Sequence, residues 1–182
     1  MNRSFEAALA AYCAPTLAGL KPASLFRWAG SPRDLGAWNR KLSRFGIGLR
    51  SLKRCPDGGC LLYLYRVRAL ERVLSDADNA AFLRTFGYTP EHGVDALLGR
   101  LRERIGGNGT FPHEIGVFLG YPLEDVRGFI ENGGANYTCC GCWKAYGDPE
   151  AARRKFAAYR RCTERYRENL RQGIALEALI TA

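Results

Sequence analysis

Apolar positions in the first stretch of the chain fall at helical spacing. Phe5, Leu9 and Tyr12 or Cys13 share one side over residues 4–13, Ser4 is placed to cap them, and Pro15 ends the pattern. The mixed run at 20–29, LKPASLFRWA, reads as a short strand. Ser31 followed by Pro32 opens a second helix that Gly46 closes, the Pro-first, Gly-last asymmetry of helix ends. The β signal is plainest next. Ile47, Leu49 and Leu52 are separated by polar residues, Pro56-Asp57-Gly58-Gly59 is turn chemistry, and Leu62, Leu64 and Val67 return with Tyr63 and Tyr65 between them. This pattern predicts an antiparallel hairpin over about 46–67, with one face in the core and the other aromatic and basic.

From Val67 onward the spacing is helical. Residues 67–88 make two short helices, or one kinked near Ser75. Leu97, Leu98, Leu101 and Ile105 line one face of a helix that stops at Gly106-Gly107, and residues 107–109 form a joint. The segment 111–134 splits at Gly120–Pro122 into two helices, each opening with a proline. The longest helix covers 148–173, with Asp148 as cap, Pro149 at its first position and Phe156, Tyr159, Tyr166 and Leu170 recurring along it. The tail from Ile174 adds a strand or a last helical turn. Together these elements predict an α+β fold: a mainly helical single domain over 1–182, with a small antiparallel sheet and a long C-terminal helix.

Composition narrows the chemistry. A chain of 182 residues buries a core without disulfide staples, and its seven cysteines cannot all pair. That favours a reducing cytoplasm with thiols free, reactive or metal-bound. No apolar run reaches the ~20 residues of a membrane helix. Glu6 interrupts the apolar N-terminal stretch, which argues against a signal peptide. The net charge of +9 admits an acidic partner, nucleic acid included, and the arginines concentrate at 152–171. No helix-turn-helix, zinc-finger or RRM motif supports the nucleic-acid reading, and neither a P-loop nor a dinucleotide fingerprint is present.

The densest chemistry is at 137–148, YTCCGCWKAYGD: a metal cluster, a reactive thiol, or a cysteine-rich turn. Cys139 and Cys142 have the spacing of half a zinc knuckle, and Cys55 with Cys60 would supply a looser second half. His92 reads as a surface residue. His113 precedes Glu114 at a helix start, where the dipole favours a neutral imidazole able to bind metal or act as base, and where Glu114 is equally good capping chemistry. Cys13 with a distant histidine is the minimum for thiol catalysis, against the alternative of a small buried hydrophobe. Lys21 would lower the pKa of a nearby thiol, pair with a carboxylate, or stand exposed. Trp143, Lys144 and Tyr146 line a pocket beside Cys140 or close the turn before the last helix; in the first case Trp143 and Tyr146 would contact a cofactor.

Taken in order, CAPTLAGLKPASLF (13–26), WNRKLSRFGI (38–47), LLYLYR (61–66), FPHEIGVFLGYPLEDVRGFIENGG (111–134), CGCWKAYGD (140–148) and YRRCTERY (159–166) resemble an uncharacterised bacterial family catalogued as a domain of unknown function. The resemblance spans nearly the whole chain. It implies a single-domain cytoplasmic protein, common in anaerobes and encoded near flavodoxin and iron-uptake genes, hence a link to iron or redox physiology. It gives no activity, catalytic residue or cofactor. It places cysteine at positions 13, 140 and 162 but not at 55, 60, 139 or 142, which shifts weight from the four-thiolate site to Cys13, Cys140 and Cys162. Two expectations follow. In the first, Cys13, Cys140 and Cys162 with His113 bind iron or zinc, or one of these thiols is redox-active or nucleophilic with help from Lys21, His113 or Glu114. In the second, the basic last helix and the Tyr63/Tyr65 face bind an acidic partner, such as a flavodoxin-like electron carrier or nucleic acid, without chemistry.

Overall fold

The computed structural model describes residues 4–30, 35–107 and 109–181. The fold is α+β and mainly helical, as the spacing predicts, and it contains the expected hairpin and the long helix near the C-terminus. Its contacts divide into two compact units, one made of 1–70 with 161–182 and the other of 71–160.

The first unit is a three-stranded antiparallel sheet covered by helices. Helix α1 (Phe5–Leu17) leads into strand β1 (Ala23–Trp28), α2 (Leu35–Ser43), β2 (Ile47–Arg54) and β3 (Cys60–Arg66), in the sheet order β1-β3-β2. Ser4 caps α1 as expected, its hydroxyl accepting from the Ala7 amide at 3.2 Å. Pro15 does not end the helix, which runs two residues further. In the last turn a proline forfeits only its own bond, to the Ala11 carbonyl, and the ladder resumes from Ala18 N to Ala14 O at 2.8 Å. The Ser31 and Pro32 start signals of α2 lie outside the described residues.

The hairpin turns through Gly58, whose φ of +83° is the left-handed conformation that glycine adopts without strain. Register shifts between Ser51 and Lys53, so Leu52 is the extra residue of a bulge. One expectation is corrected here: the Tyr63/Tyr65 face is not a surface. Both rings are buried and stack on each other at 5.4 Å, because β3 is the central strand and is covered on both faces.

The last half of the long helix α8 (Pro149–Arg171) and the short α9 (Leu176–Leu179) complete the core with Tyr166, Leu176 and Ile180. Arg66 ties these pieces together. Its Nε donates to Thr16 O at 2.6 Å, and its Nη2 donates to Leu17 O at 2.5 Å and to Thr181 O at 2.7 Å. A guanidinium at the carbonyl end of α1 satisfies orphan acceptors and complements the helix dipole in one contact.

The second unit is helical. Helix α3 (Val67–Ser75) enters it, and Asp76 caps α4 (Ala77–Arg84), so the two-helix alternative holds for 67–88. A 3₁₀ turn at Pro90–His92 precedes α5 (Gly93–Gly106), which buries Leu97, Leu98, Leu101 and Ile105 as its spacing predicts. The expected joint at 107–109 includes Asn108, outside the described residues.

The segment 111–134 gives one turn, α6 (Ile115–Phe118), and then α7 (Leu123–Glu131). Between β4 (Cys139–Cys140) and β5 (Lys144–Ala145) the chain folds into a second, very short hairpin that periodicity did not announce. Asp148 caps α8 as predicted, its carboxylate accepting from the Glu150 amide at 2.8 Å. Among the described residues no helix is long and apolar enough to cross a membrane.

Candidate functional site

The cysteine-rich segment is a tight turn, and its geometry is set by one carboxylate. Asp125, buried on α7, accepts the Trp143 indole N–H at 2.7 Å with Oδ2. Its Oδ1 accepts the amides of Tyr146 at 2.6 Å and Gly147 at 2.9 Å. Three donors on one buried carboxylate fix the β4–β5 hairpin to α7 and hold the indole in a single orientation. Two glycines allow the close fit. A Cβ on Gly128 would lie 2.4 Å from Tyr146 Cγ, and one on Gly141 would lie 2.3 Å from Phe156 Cδ2. Trp143 then stacks on Tyr121 with centroids 4.8 Å apart and planes at 23°, and meets Phe156 edge-on at 4.5 Å.

Strand alternation sets Cys139 and Cys140 of β4 on opposite faces, and Cys142 stands in the turn between the strands. Cys139 is half-buried against the cluster of Trp143, Ala145 and Phe156, whereas Cys140 and Cys142 are exposed. Above them opens a cavity of about 280 Å³. Its lining includes the rings of His113, Tyr121, Phe129 and Trp143, the apolar Ile115 and Val126, and Cys140, Cys142 and Lys144. His113 is exposed, its ring 4.9 Å from that of Phe129. The Lys144 ammonium donates to Gly134 O at 2.7 Å and sits 5.0 Å from the centre of the Tyr137 ring. Burial pushes the Tyr121 hydroxyl up to about 12, with the neighbouring Cys142 and Tyr159 adding to the shift, so it stays a protonated donor at neutral pH.

The candidates from sequence divide sharply. His113, Cys140 and Trp143 come together at this cavity, and Lys144 with them. Tyr146 does not line it; its ring covers Gly128 and its hydroxyl donates to Ala135 O at 2.8 Å. Glu114 is buried and accepts from Tyr88 Oη at 2.9 Å and from Arg104 Nε at 2.5 Å, which makes it an internal anchor with its charge already matched. Helix α6 has a single turn, so the dipole argument for His113 has little helix behind it.

In the first unit Cys13 is fully buried on α1, and desolvation drives its thiol far above the ordinary range against the opposing pull of Lys21 and the Ser24 hydroxyl. Ser24 also bonds Thr16, Oγ to Oγ1 at 2.8 Å. Lys21, itself half-buried, therefore acts on the Cys13 thiol in the expected direction but is outweighed. Cys162 packs half-buried against the same core, its thiol likewise raised by burial. Among the described residues no three His, Cys, Asp or Glu side chains form a group able to hold a metal ion.

Asp125, Tyr121 and Phe129 were not singled out by sequence reading. The pattern LEDV is ordinary first-turn chemistry for a helix, and the partners of Asp125 lie 18 to 22 residues away. No curated protein and no solved structure matches the chain. A family model does match, over residues 9–180, in agreement with the segments that carried the resemblance: the chain belongs to the family described as a protein of unknown function, DUF3793.

Proposed function

We propose that the aromatic cavity of the second unit is the working site of a thiol-redox protein, with Cys140 as the reacting thiol and Cys142 as its resolving partner. The observation that carries this reading is the convergence on one cavity of an imidazole, two aromatic walls and two exposed thiols from segments far apart in sequence. Exposed thiols beside a base and a cation have the surroundings of reactive cysteines, whereas Cys13, buried and held protonated, has those of an inert one. The metal form of the site finds less support, since no group of three ligands is assembled among the described residues.

The chemistry is thiol–disulfide exchange with a small disulfide. His113 accepts the proton of Cys140, the thiolate attacks one sulfur of the substrate, and the other half leaves as thiolate. Cys142 then attacks Cys140 Sγ in the mixed disulfide, expels the remaining half, and leaves a Cys140–Cys142 disulfide. Two electrons pass from the protein to the substrate. An acidic electron carrier of flavodoxin type would return them in a reducing cytoplasm, and the exposed Arg153, Arg154, Arg160 and Arg161 of α8 suit such a partner.

The test uses 5,5′-dithiobis(2-nitrobenzoate) on the native chain with peptide mass mapping. Wild type is expected to release two thionitrobenzoate ions from this pair and to form the Cys140–Cys142 disulfide. Cys142→Ser should stop at a stable mixed disulfide on Cys140. If Cys140 reacts no faster than Cys55 or Cys162, or if no Cys140–Cys142 bond forms, the proposal is wrong.

A further inference from the structure

We infer that the cavity takes a planar aromatic molecule of one or two rings bearing an anionic group, with Lys144 as the partner of the anion. The inference rests on the cavity being a ligand site and adds the class of ligand. Three observations lead to it.

The first is shape. A volume of about 280 Å³ is at the lower end of small-molecule sites, too small for a dinucleotide and suited to one or two fused rings. The second is the nature and rigidity of the walls. Trp143 and Tyr121 stack on each other, the adjacent rings of Phe129 and His113 also line the cavity, and the indole is fixed by Asp125 and by Phe156 before any ligand arrives. A wall fixed in advance spends little of the binding energy on ordering, and flat aromatic faces reward a flat guest.

The third is charge. An aromatic enclosure also fits a quaternary ammonium through cation–π attraction, so the sign of the guest must be decided by something else. Lys144 decides it. The ammonium is pinned by Gly134 O and lies over the Tyr137 and Phe129 rings, at 5.0 and 5.9 Å. No carboxylate among the described residues pairs with it. Asp125, the carboxylate in the cavity wall, has both oxygens occupied by the Trp143 indole and two backbone amides. One N–H of the ammonium is committed, and the others find no acceptor among the described residues. A cationic guest would meet this fixed charge, whereas an anion would satisfy it.

The experiment titrates the full chain with three probes of one shape: 2-naphthoate, neutral 2-naphthamide and the 2-naphthylmethylammonium cation. Calorimetry gives Kd, and the Trp143 indole N–H resonance reports the location. Wild type is expected to bind naphthoate at least tenfold more tightly than naphthamide, and the cation more weakly than either. Lys144→Met should bring naphthoate to within about twofold of naphthamide without changing naphthamide itself, and Lys144→Arg should keep the preference. Lys144→Met also removes the bond to Gly134 O, so the unchanged naphthamide Kd guards against general loss of the site. Equal Kd for the two naphthyl probes, a preference that survives Lys144→Met, tightest binding of the cation, or no movement of the Trp143 resonance at millimolar probe would each overturn the inference. Failure of Cys140 and Cys142 to exchange, with the naphthoate preference intact, would instead remove the thiol chemistry and leave the ligand class standing.

Discussion

Replacing Asp125 tests the keystone of the site directly. In Asp125→Asn the volume is kept and one oxygen still accepts the Tyr146 and Gly147 amides, at 2.6 and 2.9 Å in the native protein. The new amide N–H₂ then faces the Trp143 indole N–H, donor against donor, where the native bond is 2.7 Å. A hydrogen bond to a charged acceptor is worth about 1.5–3 kcal/mol net. Losing that bond, and weakening two others from charged to neutral, predicts a loss of about 2–4 kcal/mol. Asp125→Ala removes all three bonds, which would sum to about 4.5–9 kcal/mol if they were independent. They share one carboxylate, and water reaches the exposed edge of the hairpin, so about 3–5 kcal/mol is the expected loss. Urea unfolding followed by tryptophan emission and by far-ultraviolet circular dichroism measures both. The order wild type, Asn, Ala in midpoint, with unchanged slopes, is expected. Asp125→Asn within 0.5 kcal/mol of wild type, or Ala milder than Asn, would show that the carboxylate does not organise the hairpin.

Three further outcomes are expected. Gly128→Ala sets a Cβ 2.4 Å from Tyr146 Cγ, so despite the ~1 kcal/mol helix-propensity gain of alanine it should destabilise by about 1–3 kcal/mol, and Tyr146→Ala in the same background should recover part of that loss in urea unfolding. Arg66→Met removes four bonds to the end of α1 and to Thr181, and limited proteolysis should cut near Thr181 at least tenfold faster, while a rate equal to wild type would refute the clamp. Cys13 is held protonated by burial. Below the unfolded thiol value of about 8.5 its contribution to stability is complete; above it the unfolded chain releases a proton that the folded chain keeps, and the unfolding free energy falls by about 1.4 kcal/mol per pH unit. Cys13→Ala should show a slope between pH 9 and 10 shallower by about that amount, and identical slopes would contradict the burial of the thiol.

What sequence made legible follows from the range of the signals. Asp148 before Pro149, and Pro56 to Gly59 between two alternating runs, are local instructions, and the structure follows them. Pro15 misled because a proline disturbs a helix locally, by the bond it cannot donate and the crowding of its ring on the preceding turn, and here that turn is the last of α1. The Tyr63/Tyr65 face misled because alternation says which residues share a side and nothing about what covers it. The unbroken apolar run LLYLY was the better clue, since a strand with no polar residue is one buried on both faces. At the site, residue type was enough to pick out Cys140, His113 and Trp143. Asp125 was invisible because its role exists only once the hairpin folds back on α7, and no short-range pattern encodes a bond to backbone amides two helices' length away along the chain.

The clamp at Arg66 has a consequence for how the chain is made. The first unit is built from two separate stretches, 1–70 and 161–182, while the second is a continuous stretch, 71–160. On a ribosome adding roughly 5–20 residues per second, the continuous stretch can close its core while synthesis proceeds. Strands β1 to β3 emerge earlier, yet Arg66 lacks its Thr181 acceptor and the core lacks Tyr166, Leu176 and Ile180 until residues 161–181 have been made. Until residues 161–181 follow, the sheet is therefore an unfinished hydrophobic surface, and a segment made about a hundred residues later is the one that protects it.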